Sequence, residues 1–397
     1  MTGTIAKRKY RSGQIVWYYQ VDLGKDENGE RQRYTESGFK TKSEAVDARD
    51  KFIADKQANR FVVPHKQTLH DYLNEWLDQH ADRNLAPTTA ERYRELLDRY
   101  VVPRLGSVML KNLDPGQLER LYSNLRENGS LRKNGGELSG KTVRHIHGAL
   151  HAALAKAVRW KRLAINPADS CDLPKIETKE MKAPDQSEAE FILSTLEGTS
   201  MYLPALIATF TGMRRGEILG LAWSAVDFEN RTLKVIHSLE QVGKQLQFKQ
   251  TKSDKPRTFP LSQVLINALL KHKLEQARHR EMFGSDYNDV DDLIICQPDG
   301  SKIFPDSFTA AYCTHVRKIG KRGYSLHTLR HHHASLLLSK GVSVAAVSKR
   351  LGHSKVSTTL NMYTHAFSHD EMRAADVIDE VFNPKPVIAA DVTRKAN

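Results

Sequence analysis

The sequence predicts a multidomain, mainly α protein with small β elements: an N-terminal three-stranded sheet plus helix, a helical domain, and a mixed α+β C-terminal domain. Three observations carry this. With 397 residues, the chain exceeds the size at which one hydrophobic core keeps growing. Alternating, strand-like patterns occur near residues 15–35 and 231–260, whereas helical periodicity with start signals fills most of the rest. Proline-marked stretches at 62–65 and 166–184 interrupt both patterns. The expected domains are therefore 1–62, 66–165 and 185–383, with 166–184 a tether and 384–397 a frayed tail.

In the first domain, Ile15 to Val21 reads as a strand, Gly24 to Gly29 as a turn and Arg31 to Thr35 as the hairpin partner. Thr41 and Glu44 have capping-box spacing, and Ala45, Ala48, Phe52 and Ile53 form one helical stripe up to Phe61. In the second, four helices have their own start marks: Thr68; Pro87 to Glu91; Asp114 with Pro115; and Ser139, which leads Val143, Ile146, Leu150, Leu154 and Val158. In the third, helical segments at 189–196, 203–210 and 217–221 precede strands at Arg231–Ile236, Gln245–Phe248 and Arg257–Pro260, with a turn at 253–256 before the last. Helices then resume to about Phe382.

Composition limits the function. Sixty Lys and Arg against 47 Asp and Glu give a formal charge of +13, which points to a polyanionic partner, nucleic acid foremost. A 40% hydrophobic fraction separates the chain from a basic tail. Cys171, Cys296 and Cys313 are odd in number and widely spaced, so neither a disulfide framework nor a cysteine zinc site is suggested. No apolar leader follows Met1 and no run has the length of a membrane span. The expectation is a reduced, cytoplasmic protein.

The C-terminal third carries His327, Arg330, His353 and Tyr363 in that order, preceded by Arg214 in Thr211-Gly212-Met213-Arg214-Arg215-Gly216-Glu217. Arginines and histidines around a nucleophile suit metal-free attack on a phosphodiester, because cations must neutralise the phosphorus oxygens. Gly212 is expected to end one helix and Arg214 to begin the next. Glu217, three residues on, would orient the guanidinium. His327 and Arg330 share a helix face. His327 and His331, the latter opening the run His331, His332, His333, also have metal-ligand spacing at i, i+4, but no H-E-x-x-H glutamate accompanies them, so packing or support is expected of His331 and His333 and no metal or other cofactor. Gly352 should close the Val344-to-Leu351 helix and project His353. A tyrosine ionises near pH 10, so surrounding positive charge and a base would have to favour the Tyr363 phenolate.

The words Leu326-His327-Thr328-Leu329-Arg330-His331, Leu351-Gly352-His353 and Thr358-Thr359-Leu360-Asn361-Met362-Tyr363 resemble the tyrosine site-specific recombinases, specifically phage-type integrases. The resemblance implies an arm-binding, a core-binding and a catalytic domain. It implies that Tyr363 forms a 3′-phosphotyrosyl link, that Arg214, Arg330 and His353 bind nonbridging oxygens, and that His327 is an acid/base. Lys252, in Thr251-Lys252-Ser253, matches the lysine that protonates the leaving 5′-oxygen; Lys249 and Lys255 compete for that place. It further implies double-stranded attachment sites, a homo-tetramer exchanging the segment Ser368 to Phe382, an accessory DNA-bending protein and an excision direction factor. Lys9, Arg11, Arg31, Arg33, Arg92, Lys141 and Arg144 are the candidate DNA contacts. Thr328 departs from the aspartate of many relatives, as does the histidine run. A type IB topoisomerase-like relaxing enzyme and a non-catalytic DNA-binding regulator are the rival readings.

Overall fold

A computed structural model describes residues 3–9, 13–25, 29, 31–57, 66–131, 135–176, 183–250, 256–363, 378–379 and 382. Two compact units result, 1–178 and 179–397. In the first, strands Gly3–Lys9, Ile15–Lys25 and Arg31–Phe39 pair antiparallel in sequence order. The helix Lys42–Gln57 packs on the sheet and closes a small cluster of Tyr19, Val21 and Phe52. Thr41 and Glu44 cap it reciprocally, as their spacing predicts. Lys9 and Arg33 are exposed, and Arg31 lies 2.7 Å from Asp22. Arg11 and the linker 62–65 fall outside the described residues.

A separate core contains the helices between Leu69 and Arg159, with Trp76, Leu97, Leu118, Ile146 and Leu150 buried. Thr68 and Asp114 each form a capping box, and Ser139 accepts from the Thr142 backbone. The chain after Trp160 corrects the expected tether. Asn166 caps the turn Pro167–Ser170, Ala168 is buried in the helical core, and Cys171 and Leu173 pack against it. Arg144 Nε donates to the Pro174 carbonyl at 2.8 Å. Proline and missing periodicity marked the end of regular helix; burial continues past it, because the turn lets the chain fold back onto the core.

The second unit has one main cluster that includes Ile207, Ile218, Leu233, Leu269 and Leu329. Helix Leu326–Ser339 packs on Tyr202–Thr211 and also meets Val344–Leu351. The described strands form two sheets. Val226–Asp227, Thr232–Val235 and Arg257–Pro260 make one, and His237–Val242 pairs with Gln245–Gln250 in the other. His237–Val242 was not among the expected strands. Residues 251–255, the segment from Ser368 to 377, and the tail 384–397 lie outside the described residues. Among those described, no helix is long and apolar enough to cross a membrane.

Candidate active site

Two left-handed glycines set the frame. Helix Tyr202–Thr211 ends at Gly212, whose φ is 68°; a Cβ there would come within 2.7 Å of Leu351 and 2.8 Å of His333, so glycine is required twice over. The reversal places Arg214 at the N-cap of Arg215–Leu219. Its backbone N–H donates to Glu217 Oε2 at 2.7 Å, Nη1 to Oε1 at 3.0 Å and Nη2 to the Gly352 carbonyl at 3.0 Å. Gly352, with φ 67°, ends Val344–Leu351 and so delivers that carbonyl and His353 together.

Glu217 is 3% exposed and is shared. Arg257 donates Nη1 to Oε1 at 2.9 Å and Nη2 to Oε2 at 2.6 Å, the bidentate geometry that suits arginine. Burial alone would push the Glu217 carboxyl up; Arg257, then the Arg214 backbone N–H and charge, overcome it and hold the carboxyl below its ordinary range. The sequence reading did not single out Arg257. The available signal was positional: Arg257 and Phe259 are two apart on one strand and so share a face, and Phe259 faces the core.

Arg330 is 2% exposed. Its Nη1 donates to the Gly212 carbonyl at 2.5 Å and its Nη2 to the Leu351 carbonyl at 2.8 Å and to His353 Nε2 at 3.1 Å. Accepting there leaves His353 Nδ1 to donate to Thr359 Oγ1, 2.8 Å away. None of the described carboxylates forms an ion pair with Arg330. Burial, then the Arg214 charge, pull its pKa down to about 9. Burial and the neighbouring arginines hold His353 at about 4, hence neutral. His327 is exposed at the edge of this group, and partial burial of its ring, then Arg330 and Arg214, lower its pKa.

Tyr363 is 5% exposed and packs on Ala334, Leu338, Val347 and Leu351. Its hydroxyl lies 2.6 Å from His331 Nδ1. The expected bias toward phenolate is reversed in this state, because burial pushes the phenol up to about 12 and Arg330 offsets only part of that. The histidine run diverges: His331 meets Tyr363, His332 bonds the Pro184 carbonyl, and His333 the Thr209 carbonyl while accepting from Arg350. Thr328 closes the start of its helix against Ser325. Lys252 and Lys255 lie outside the described residues, and Lys249 pairs with Glu240. Of the candidate DNA contacts in the helical core, Lys141 is exposed, Arg92 pairs with Glu95, and Arg144 uses its Nε on Pro174.

Residues 184–369 match the model of the phage integrase family; residues 6–56 match an arm DNA-binding domain, and 68–126 the SAM-like N-terminal domain of phage integrases. A tyrosine recombinase XerC-like protein of Caldanaerobacter subterraneus subsp. tengcongensis is 28% identical over 393 residues, covering 94% of this chain and 98% of its own. The fold is shared with the Tn1549 transposon integrase solved with a circular intermediate DNA, at a TM-score of 0.64 and 21% identity over 79% of this chain and 99% of that one. It is also shared with a lambda integrase tetramer bound to a Holliday junction, at 0.55 and 16% over 88% and 95%.

Proposed function

We propose, for a chain that belongs to the phage integrase family of tyrosine recombinases, that Tyr363 is the nucleophile of a metal-independent DNA strand exchange. Family membership makes the protein a site-specific DNA recombinase; the roles of individual residues are our reading. Tyr363 Oη attacks the scissile phosphorus, the bond to the 5′-oxygen breaks, and a 3′-phosphotyrosyl link conserves the bond energy. Arg214, Arg330 and His353 bind the nonbridging oxygens, Glu217 and Arg257 hold Arg214 in place, His327 is an acid/base and Lys252 protonates the leaving 5′-oxygen. A 5′-hydroxyl from the partner strand then reverses the step.

The observation that carries this reading is Arg330. A guanidinium at 2% exposure whose hydrogen-bond partners are two carbonyls and a neutral imidazole holds a charge with no described carboxylate bonded to it, which is costly unless an anion joins it. A phosphodiester supplies that anion and bridges to Arg214, which shares the Gly212–Gly352 frame. The protein would act in the cytoplasm on double-stranded attachment sites of a phage or mobile element. A homo-tetramer, a DNA-bending protein and a direction factor complete the proposal.

The test is to incubate the protein with a nicked core-site duplex in excess EDTA. A covalent adduct is expected, and Tyr363→Phe should give none while still binding DNA. Loss of the adduct in EDTA with recovery on adding metal would sink the metal-independent reading. Strand exchange between two duplexes distinguishes recombination from mere relaxation.

A further inference from the structure

We propose that His331 takes the proton of Tyr363 as that tyrosine attacks, a role that rests on Tyr363 being the nucleophile. The hydroxyl meets His331 Nδ1 at 2.6 Å, and no other described group bonds it. Tyr363 is 5% exposed and its ring packs with Ala334, Leu338, Val347 and Leu351, which leaves His331 as the described base within hydrogen-bond reach of its proton.

Donor and acceptor strength assign the direction of that hydrogen bond. His331 Nε2 is buried and has no hydrogen-bond partner among the described residues. If Nδ1 carried the proton and donated to Oη, the phenolic hydrogen and the Nε2 lone pair would both be stranded. If the phenol donates to Nδ1, the Nε2 hydrogen and the Oη lone pair are left instead, so the two arrangements strand equal numbers of groups. The second is favoured because a phenol is a stronger donor than a neutral imidazole N–H and an imidazole nitrogen is a better acceptor than a phenol oxygen. Nδ1 therefore presents a lone pair to the nucleophile. The charged and titratable groups facing His331 are His327, Arg330 and His353, with Tyr363 itself. Burial and those neighbours keep the ring neutral, with a pKa of about 4, so the lone pair is free throughout the neutral range.

The step balances. The Oη–H bond breaks and its proton moves to Nδ1, Oη bonds to phosphorus, and the phosphorus–O5′ bond breaks as the 5′-oxygen takes a proton from the general acid. In the reverse step the imidazolium returns the proton to Oη. His331 follows Arg330 on helix Leu326–Ser339, whose guanidinium is anchored to two carbonyls, so base and phosphate ligand move as one piece. His327 makes edge-on ring contact with His331 at 4.6 Å between centroids, but no hydrogen bond joins His327 to the Tyr363 hydroxyl.

The experiment is single-turnover cleavage of a nicked core site, with DNA affinity measured separately. His331→Asn keeps an oxygen able to accept the hydrogen bond but unable to retain the proton, so cleavage should slow about 10²-fold or more at unchanged affinity. A substrate with sulfur at the 5′ bridging position, which leaves without a proton, should not rescue it. Fluorotyrosine at position 363, which ionises more readily, should restore most of the rate. A rate within twofold of the parent, rescue by the sulfur substrate, or no gain from fluorotyrosine overturns the proposal. Nitrogen NMR of the unsubstituted protein needs no variant to fold: unprotonated Nδ1 with protonated Nε2 on His331 supports it, and protonated Nδ1 overturns it. An adduct from Tyr363→Phe would instead remove the nucleophile reading, whereas an inert Tyr363→Phe beside a fully active His331→Asn would remove only the role of His331.

Discussion

Arg330 and Glu217 hold opposite buried charges under opposite conditions. Glu217 lies between two guanidiniums, so removing it leaves Arg257, with a side chain 12% exposed, without its partner. Glu217→Ala should cost about 3–5 kcal/mol in urea unfolding, the range for breaking a buried pair. Its folded pKa is depressed, so its contribution is present above the unfolded carboxylate value and is lost as pH falls through the folded one. The parent should therefore lose stability on acidification more steeply than Glu217→Ala; parallel curves would show that the carboxylate is not held as the geometry implies. Arg330→Lys keeps a charge but cannot span the Gly212 and Leu351 carbonyls as a fork does. Cleavage should fall about 10²-fold, comparable to deleting one oxyanion donor worth about 3 kcal/mol. Single-turnover rates within a few-fold would remove Arg330 from the phosphate site. The order of Arg214, His327, Arg330, His353 and Tyr363 was legible because each sits in a short word. Arg257 and the pairing of His331 with Tyr363 were not, since those bonds span 40 and 32 residues and exist only after the chain closes.

At the scale of elements, the helix end at Gly352 is a joint between chemistry and backbone. Gly352→Ala places a side chain at φ 67°, a conformation costing about 1–2 kcal/mol for a non-glycine residue, and its Cβ would come within 2.5 Å of Arg257 Nη1. Both the carbonyl that binds Arg214 and the exit angle of His353 depend on this turn. The expected outcome is a lower unfolding midpoint together with a cleavage defect at unchanged DNA affinity; a variant with parental stability and rate would show that the turn tolerates L residues. Such ends were readable in advance, since glycine after an apolar helical stripe has a local cause. Strand His237–Val242 was not, because Leu239 is its one fully buried residue, leaving no apolar alternation to detect. The packed turn at 167–170 escaped for a similar reason: Asn166 capping and Ala168 burial stabilise it without periodicity.

At the scale of the whole molecule, the smallest cluster makes the sharpest prediction. Tyr19, Val21 and Phe52 form a core assigned apart from that of the helices starting at Leu69, and the sheet and helix cap themselves locally. In the sequence the expected boundary is marked by the proline-containing, periodicity-free stretch 62–65, with a helical stripe on either side of it. We expect a fragment beginning near residue 66 to retain cleavage of a core site, since deletion removes no residue from the helical core or from the frame around Arg214 and Arg330. It should fail at efficient recombination of a complete attachment site. The N-terminal unit would tether each subunit to a second DNA site and raise the effective concentration of the assembled complex; the matches to an arm DNA-binding domain at 6–56 support that role. Fragment and full chain are compared in adduct formation on a nicked core site and in recombination of full sites. Equal recombination would show that residues 1–62 are not an arm-binding module, whereas loss of core-site cleavage as well would place the boundary elsewhere.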